Sequence, residues 1–172
     1  MTLFIDSPFL ISDTHFGHAN IIKYCDRPFS TVSHMNEVLI DRWNSVVSNN
    51  DTVIHLGDFC FGAPDVYLQR LQFKTMYLIK GNHDKGRTSK EFCKDPRVTV
   101  ISNKNNHKNA GDALLNNTYW LSHYEVIPCN GAKYTLHGHI HNNCSVFDTS
   151  VNLSVERIGY TPIPYEKILH YL

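Results

Sequence analysis

The 172-residue sequence lacks any apolar run long enough to cross a bilayer, so no membrane association is expected. It also lacks an excess of charge of one sign, because 16 basic side chains balance 16 acidic ones. A protein that neutralises many phosphates of a duplex normally has a basic bias, so extended nucleic acid is a poor candidate for its partner. The charge balance is compatible with a small anionic ligand held by local charge.

The segment Met1–Ile11 lacks a cationic leader and is interrupted by Asp6 and Pro8, so we do not expect a secretion signal. The five cysteines have no paired spacing, and their odd number favours reduced thiols in a cytoplasmic protein. With 42% hydrophobic residues and no linker or low-complexity tract, residues 1–172 are expected to form a single domain.

Eleven histidines are the unusual feature of the composition, and several follow a predicted strand. The apolar segment Met76–Ile79 predicts a buried strand, and after Lys80 comes the polar turn Gly81–Asp84, with the sequence Gly-Asn-His-Asp. Ligands bind at the carboxyl edge of open α/β sheets, so polar side chains at that edge are candidates for metal binding or proton transfer. Taken alone, the segment is more typical of a hydrophilic hairpin turn than of a binding site.

Four other predicted strands end in the same kind of side chain. The candidates are Asp13 and His15 after Phe9–Ile11, Asp58 after Thr52–Leu56, His123 after Thr118–Leu121, and His139 and His141 after Lys133–His137. Residues two apart on an extended segment share a face, so the first and last of these strand ends each present a pair. With Asn82 the set has seven oxygen or nitrogen donors and no thiolate, which suits Mn, Fe, Zn or related divalent ions. Seven donors exceed the need of one ion, whereas two ions sharing a carboxylate account for all of them.

The remaining elements follow from periodicity and turn residues. Apolar residues at helical spacing predict a helix from an N-cap at Ser33 to about Val47, and Pro64 predicts the start of a short helix. Asn116-Asn117 predicts a two-residue hairpin turn, because Asn tolerates positive φ. Further predicted elements are strands at Val98–Ile101 and Val151–Val155 and a helix from Tyr165.

This ordered set of motifs resembles the calcineurin-like metallophosphoesterase superfamily. The family pattern is Asp-x-His, Gly-Asp, Gly-Asn-His-Asp or Glu, a lone His and Gly-His-x-His, and every part is intact between about Phe9 and His141. The resemblance implies an α/β fold, an αββα sandwich of two mixed β-sheets flanked by helices. The Asp-Thr-His-Phe-Gly-His opening and Arg27-Pro28-Phe29 look like a subgroup of small bacterial and phage members.

The resemblance also implies a cofactor and a ligand set. It assigns Asp13, His15 and His141 to one ion and Asn82, His123 and His139 to the other, with Asp58 bridging the two. Two divalent metal ions are implied, with Mn preferred and Fe, Zn, Ni or Co possible. A hydroxide bridging the ions would attack phosphorus directly, without a phosphoenzyme.

Other polar residues near the motifs are given supporting roles. The resemblance makes His83 the proton donor to the leaving oxygen, and the adjacent Asp84 could fix its tautomer and keep it protonated. The alternative is that His83 is a turn residue without a catalytic role. We expect His55 and His137, which precede ligand motifs, to be buried and hydrogen-bonded rather than ligands.

Two features allow alternatives that the sequence leaves open. His18 and Arg27 either touch a substrate phosphate or hold their loop by hydrogen bonds. The basic run from Lys85 to Lys94 is either a solvated face or a patch that attracts an anionic substrate.

The predicted function is hydrolysis of a small phosphodiester, such as a cyclic nucleotide or another nucleotide derivative. The motifs and core strands occupy nearly all of the chain, which leaves no cap domain to enclose a large substrate. The alternative is a phosphomonoesterase acting on a nucleotide or a phosphoprotein. Nuclease activity is disfavoured by the charge balance, and a non-catalytic scaffold is disfavoured by the complete set of motifs.

Overall fold

The computed structural model describes residues 1–84, 87–103 and 110–171. Its strands are β1 (Thr2–Leu3), β2 (Phe9–Ile11), β3 (Thr52–His55), β4 (Thr75–Ile79), β5 (Val98–Ile101), β6 (Asp112–Leu115), β7 (Tyr119–Ser122), β8 (Tyr134–His137), β9 (Ser150–Asn152) and β10 (Ile163–Pro164). The helices are α1 (Ala19–Tyr24), α2 (Val32–Asn44), α3 (Asp65–Leu68) and α4 (Arg87–Phe92), and a 3₁₀ helix covers Tyr165–Tyr171.

The strands form two five-stranded sheets, with the orders β1-β6-β7-β8-β9 and β10-β2-β3-β4-β5. In the first sheet β6 and β7 are antiparallel and the other pairs are parallel. In the second, only β10 and β2 are antiparallel. The predicted architecture of two mixed sheets flanked by helices is therefore confirmed.

The strands that carry the first three motifs are neighbours. Strands β2, β3 and β4 are parallel and adjacent, so their carboxyl ends meet at one edge of the sheet. Their apolar side chains, such as Leu10, Ile54 and Leu78, are fully buried, as expected for strands covered on both faces. Burial on both faces explains why these strands appear in the sequence as continuous apolar runs.

The two sheets are joined at this same edge. Ser12, just after β2, forms an isolated parallel bridge with Ser154, just after β9. The backbone N of Ser12 donates to Leu153 O at 2.9 Å, and the backbone N of Val155 donates to Ser12 O at 3.1 Å. The segments that follow β7 and β8 of the first sheet consequently reach the carboxyl ends of β2 and β3.

Helix α2 differs from the prediction at both ends. Its N-cap is Thr31 rather than Ser33, because the Thr31 hydroxyl accepts a hydrogen bond from His34 N at 3.1 Å. The helix ends at Asn44 rather than near Val47. Val47 is nevertheless buried after the helix. Apolar spacing identified the packed face but overestimated the length of the helix.

The hairpin prediction is confirmed, and the end of the chain differs in detail. Asn116 and Asn117 have φ values of 48° and 52°, and they connect the antiparallel strands β6 and β7. Strand β9 ends at Asn152, before the predicted Val155, because the following residues bond to Ser12 of the other sheet. The terminal helix is a 3₁₀ helix.

Candidate metal centre

Asp13 is held in place through one of its two carboxylate oxygens. Its Oδ2 accepts hydrogen bonds from Ser12 Oγ at 2.6 Å, from Ser154 Oγ at 3.1 Å and from the backbone N of His139 at 2.9 Å. The residue is completely buried. Three donors on Oδ2 fix the orientation of the carboxylate, so Oδ1 faces a defined point.

Two histidine nitrogens lie near Asp13 Oδ1. Asp13 Oδ1 lies 3.7 Å from His15 Nε2 and 3.9 Å from His141 Nε2. Neither Asp13 Oδ1 nor His15 Nε2 has a hydrogen-bond partner among the described residues, although both atoms are buried. Donor atoms that share one ion at about 2.1 Å stand roughly 3–4 Å apart, so a divalent cation fits this group.

One oxygen of Asp58, Oδ2, faces donor atoms on two sides. Its Oδ1 accepts from the backbone N of His83 at 2.8 Å. Its Oδ2 lies 3.6 Å from His15 Nε2 and 3.3 Å from His123 Nε2. On the far side, His123 Nε2 is 2.9 Å from Asn82 Oδ1. Asp58 Oδ2 therefore lies between His15 on one side and His123 with Asn82 on the other.

The tautomer of His123 is set by the backbone. Its Nδ1 donates to Leu56 O at 2.9 Å, which leaves Nε2 turned toward Asp58 and Asn82. Burial lowers the pKa of His123, but the carboxylates of Asp58 and Asp13 raise it to about 9. The site thus attracts positive charge to the place where a cation would bind.

The predicted ligands come together to different degrees. Some of the predicted ligands form two groups, and within each group the donor atoms all lie within 4.8 Å of one another. The first group is Asp13, His15 and His141, and the second is Asp13, Asp58 and His123. Asn82 adjoins the second group through His123. His139 belongs to neither group, but its ring lies 5.1 Å from that of His123. The assignment of individual ligands to two ions stays a prediction.

The backbone is strained at the site. Asp13, His15, Asp58, His139 and His141 all have positive φ values, between 49° and 69°. Side chains other than Gly rarely adopt this conformation, and where it persists it clusters at functional sites. The turns at these strand ends are what direct the donor groups toward one another.

A model of the calcineurin-like phosphoesterase family matches residues 9–166. The chain belongs to this family. Membership supports metal-dependent hydrolysis of phosphoesters as the class of reaction, and the donor groups above fit the divalent metals that the family typically binds.

Two relatives extend this comparison. An uncharacterized protein from Methanocaldococcus jannaschii is 37% identical over an alignment of 172 positions, and the match covers 94% of this chain and 88% of that protein. The crystal structure of a protein of unknown function from Aquifex aeolicus superposes with a TM-score of 0.67 at 26% identity. The match covers 96% of this chain and 99% of that one.

Among the residues described for the present chain, no helix has the length and apolarity that a membrane crossing requires.

Two glycines of the family motifs are required by close packing. A Cβ added at Gly81 would collide with the Asp58 carboxylate. A Cβ added at Gly138 would collide with Asp13 Oδ2 and Ser12 Oγ. The glycines therefore let the loops after β4 and β8 approach the two buried carboxylates.

Asp84 differs from its expected role beside the His83 ring. Its Oδ2 accepts from the backbone N atoms of Asp58 and Gly81 at 2.8 and 2.9 Å, and its Oδ1 accepts from Phe59 N at 3.1 Å. Burial and the nearby Asp58 charge raise the pKa of Asp84, while these hydrogen bonds lower it. Asp84 ties the loop after β4 to the loop after β3 and so positions the ligands.

His83 lies at the rim of the site. Its side chain is 47% exposed, and its Nε2 is 3.9 Å from Asp58 Oδ2. Its ring is 5.4 Å from that of His15. The ring is thus both accessible from solvent and next to the donor groups, which is the position a proton donor needs.

Arg27 holds its loop and the buried core of the site. Its Nε and Nη2 donate to Glu156 Oε1 at 2.8 and 2.7 Å. Its Nη2 also donates to Asp13 O at 2.8 Å, and its Nη1 donates to Thr14 O at 3.0 Å. The guanidinium is completely buried, so of the two interpretations of Arg27 the structure supports the structural one.

Glu156 is a supporting residue that the sequence analysis missed. Its Oε1 lies 3.1 Å from His141 Nδ1, which orients the opposite nitrogen toward Asp13. Burial lowers the pKa of His141, but hydrogen bonds to Cys25 and Glu156, together with the Asp13 charge, raise it to about 10. The available signal was an acidic residue directly after the predicted strand Val151–Val155, beyond the last family motif.

The prediction that His55 and His137 are buried and hydrogen-bonded is confirmed. His55 Nε2 lies 3.0 Å from Thr14 Oγ1, and burial lowers its pKa to about 3, so the ring is neutral. His137 Nδ1 donates to Gly138 O at 2.9 Å, and its Nε2 lies 3.2 Å from Ser145 Oγ. Both histidines support the turns that carry ligands.

The basic run from Lys85 to Lys94 is described only in part. Lys85 and His107 lie outside the described residues. Lys90 and Lys94 are exposed, and Lys94 Nζ pairs with Glu91 Oε2 at 2.8 Å. For these two lysines the solvated-face interpretation agrees with the structure.

Proposed function

We propose that the protein hydrolyses a small phosphodiester, of the class of cyclic nucleotides and nucleotide derivatives, with two divalent ions, preferably Mn²⁺. The observation that carries the proposal is the position of Asp58 Oδ2 between His15 and His123, which lets one carboxylate serve two adjoining donor groups. Paired ions of this kind support in-line displacement at phosphorus.

The groove at the site supports a small substrate. It encloses about 310 Å³, at the lower end of the range of small-molecule sites. Its described lining includes four histidines of the motifs together with His18, Tyr24 and two asparagines, and no Lys or Arg. A phosphodiester carries one negative charge, whereas a monoester carries close to two at neutral pH. A groove whose described lining holds no Lys or Arg favours the diester.

The chain's own residues supply orientation and proton transfer. When bound, two divalent cations would provide an activated water as nucleophile and would stabilise negative charge on the phosphoryl oxygens. Asp13 and Asp58 hold the histidine donors at fixed separations through their hydrogen-bonded oxygens. His83, at the rim, donates a proton from its ring to the oxygen of the leaving group.

The test compares bis-p-nitrophenyl phosphate with mono-p-nitrophenyl phosphate, using protein loaded with Mn²⁺. The proposal expects faster turnover of the diester and hydrolysis of at least one of 2′,3′-cyclic and 3′,5′-cyclic AMP. A strong preference for the monoester would show that the protein is a phosphomonoesterase. Failure of the metal-loaded protein to cleave any of these esters would refute phosphoester hydrolysis altogether.

A further inference from the structure

Three aromatic side chains border the metal centre on one side. Phe61 stacks on His18, with ring centroids 5.0 Å apart and an interplanar angle of 16°. Tyr24 stands edge-on to His18 at 6.3 Å. Tyr24 is 71% exposed and Phe61 is 63% exposed. Large apolar side chains left open to water next to a site are typical of a binding surface.

This aromatic surface, formed by His18, Tyr24 and Phe61, is continuous with the metal centre. The His18 ring lies 5.5 Å from that of His15 and 6.4 Å from that of His83. Tyr24 and His18 line the same groove as His15 and His83. A ligand that binds with its phosphate beside His15 and lies along this groove therefore extends toward Tyr24.

The surface is built on rigid elements. The backbone N of Phe61 donates to Phe16 O at 2.8 Å, and Phe16 forms a parallel bridge with Cys60. Tyr24 is the last residue of α1, which is anchored by the buried Ile21. Fixed aromatic rings bind a planar ligand without the cost of ordering a loop.

We propose that this aromatic surface binds the nucleobase of a nucleoside phosphoester, with Tyr24 as the residue that determines specificity. The inference rests on the proposed function and narrows its substrate class. Every nucleobase has a π-face that stacks on aromatic side chains. A nucleotide carries a sugar between its phosphate and its base. The aromatic surface suits this spacing, because the His18 ring lies 5.5 Å from that of His15 and the Tyr24 ring lies a further 6.3 Å from that of His18. The lining of the groove also includes Asn142 and Asn143, whose amides suit the polar edge of a base.

The experiment measures binding of AMP and of ribose 5-phosphate to the Mn²⁺-loaded protein by isothermal titration calorimetry. The two probes share the phosphate and the sugar and differ only in the base. The variants are Tyr24→Ala, Tyr24→Phe, which retains the ring, and Phe4→Ala as a control. Phe4 is 74% exposed and follows β1 of the first sheet, so its replacement tests for a general effect of removing an exposed aromatic ring.

Wild-type protein is expected to bind AMP about 5- to 150-fold more tightly than ribose 5-phosphate, the range given by stacking of one base. Tyr24→Ala should reduce this ratio toward one, whereas Tyr24→Phe and Phe4→Ala should keep it. Equal binding of the two probes by the wild type, no binding of either, or a ratio unchanged in Tyr24→Ala would overturn the inference.

Turnover of bis-p-nitrophenyl phosphate, measured on the same samples, separates this inference from the proposed function. A protein that cleaves the diester but does not distinguish AMP from ribose 5-phosphate keeps its function and loses the nucleobase site. A protein that distinguishes the probes but cleaves no ester keeps the nucleobase site and loses the hydrolase function.

Discussion

Replacing Asp58 with Asn tests the centre of the proposed mechanism. The amide keeps the shape of the side chain, and its oxygen can still accept from the backbone N of His83, as Asp58 Oδ1 does at 2.8 Å. The change removes the charge from the oxygen position that faces both His15 and His123. Loss of binding in Asp58→Asn would therefore report electrostatics rather than a collapsed loop.

The metal-free protein provides a measure of the expected effect. The carboxylates around His123, Asp58 first among them, raise its pKa from 6.5 to about 9 in spite of burial. That difference corresponds to about 3 kcal/mol of attraction for a single positive charge. An attraction of this size amounts to about 100-fold in a binding constant. We expect Asp58→Asn to weaken binding of both ions by at least this factor and to abolish turnover.

Two assays check this prediction. Mn²⁺ affinity and stoichiometry are measured by calorimetry and by elemental analysis after gel filtration, and the pKa of His123 is measured by NMR in the metal-free protein. The pKa should fall from about 9 toward 6.5 in the variant. Asp95→Asn is the control, since Asp95 is a partly buried carboxylate that pairs with Arg97 and belongs to neither donor group. Full retention of two ions by Asp58→Asn, or a His123 pKa that stays near 9, would refute the reasoning.

Three further predictions concern proton transfer, pH and support of the site. His83→Ala should keep the metal ions but slow cleavage by roughly 10²–10⁴-fold, and the loss should be smaller for more acidic leaving groups; equal losses for all leaving groups would contradict the proton-donor role. The metal-free protein should lose stability toward urea as pH rises from 6.5 to about 9, and further to about 10, because His123 and His141 keep their protons to these values only when folded. Metal loading should remove that dependence, and a stability that is flat or rises over this range without metal would contradict it. Glu156→Gln should destabilise the protein by about 3–5 kcal/mol in urea unfolding by leaving the buried Arg27 charge unpaired, and should weaken metal binding about 10- to 100-fold. A variant with wild-type stability and affinity would show that Glu156 does not support the site.

Local patterns in the sequence were sufficient to predict the strands and the residues that follow them. Short apolar runs closed by Gly, Asp or Asn specify where a strand stops, and such local patterns survive in the fold because they combine burial with turn geometry. The predicted segment before Asp13 coincides with β2, and the segment before the Gly-Asn-His-Asp turn differs from β4 by one residue. The order of the motifs was likewise sufficient to indicate the family.

The contacts by which the motifs support one another depend on the folded arrangement of the loops. Asp84 bonds three backbone N–H groups of two loops, and Glu156 reaches His141 across 15 positions. Local patterns do not encode such contacts, because they depend on which loops meet at the sheet edge. The same holds for the aromatic surface at Tyr24 and Phe61, whose rings lie 37 positions apart in the chain and come together only where α1 packs beside the loop after β3. Strand ends follow from local apolar patterning, whereas partners across the site follow from the packing of the two sheets.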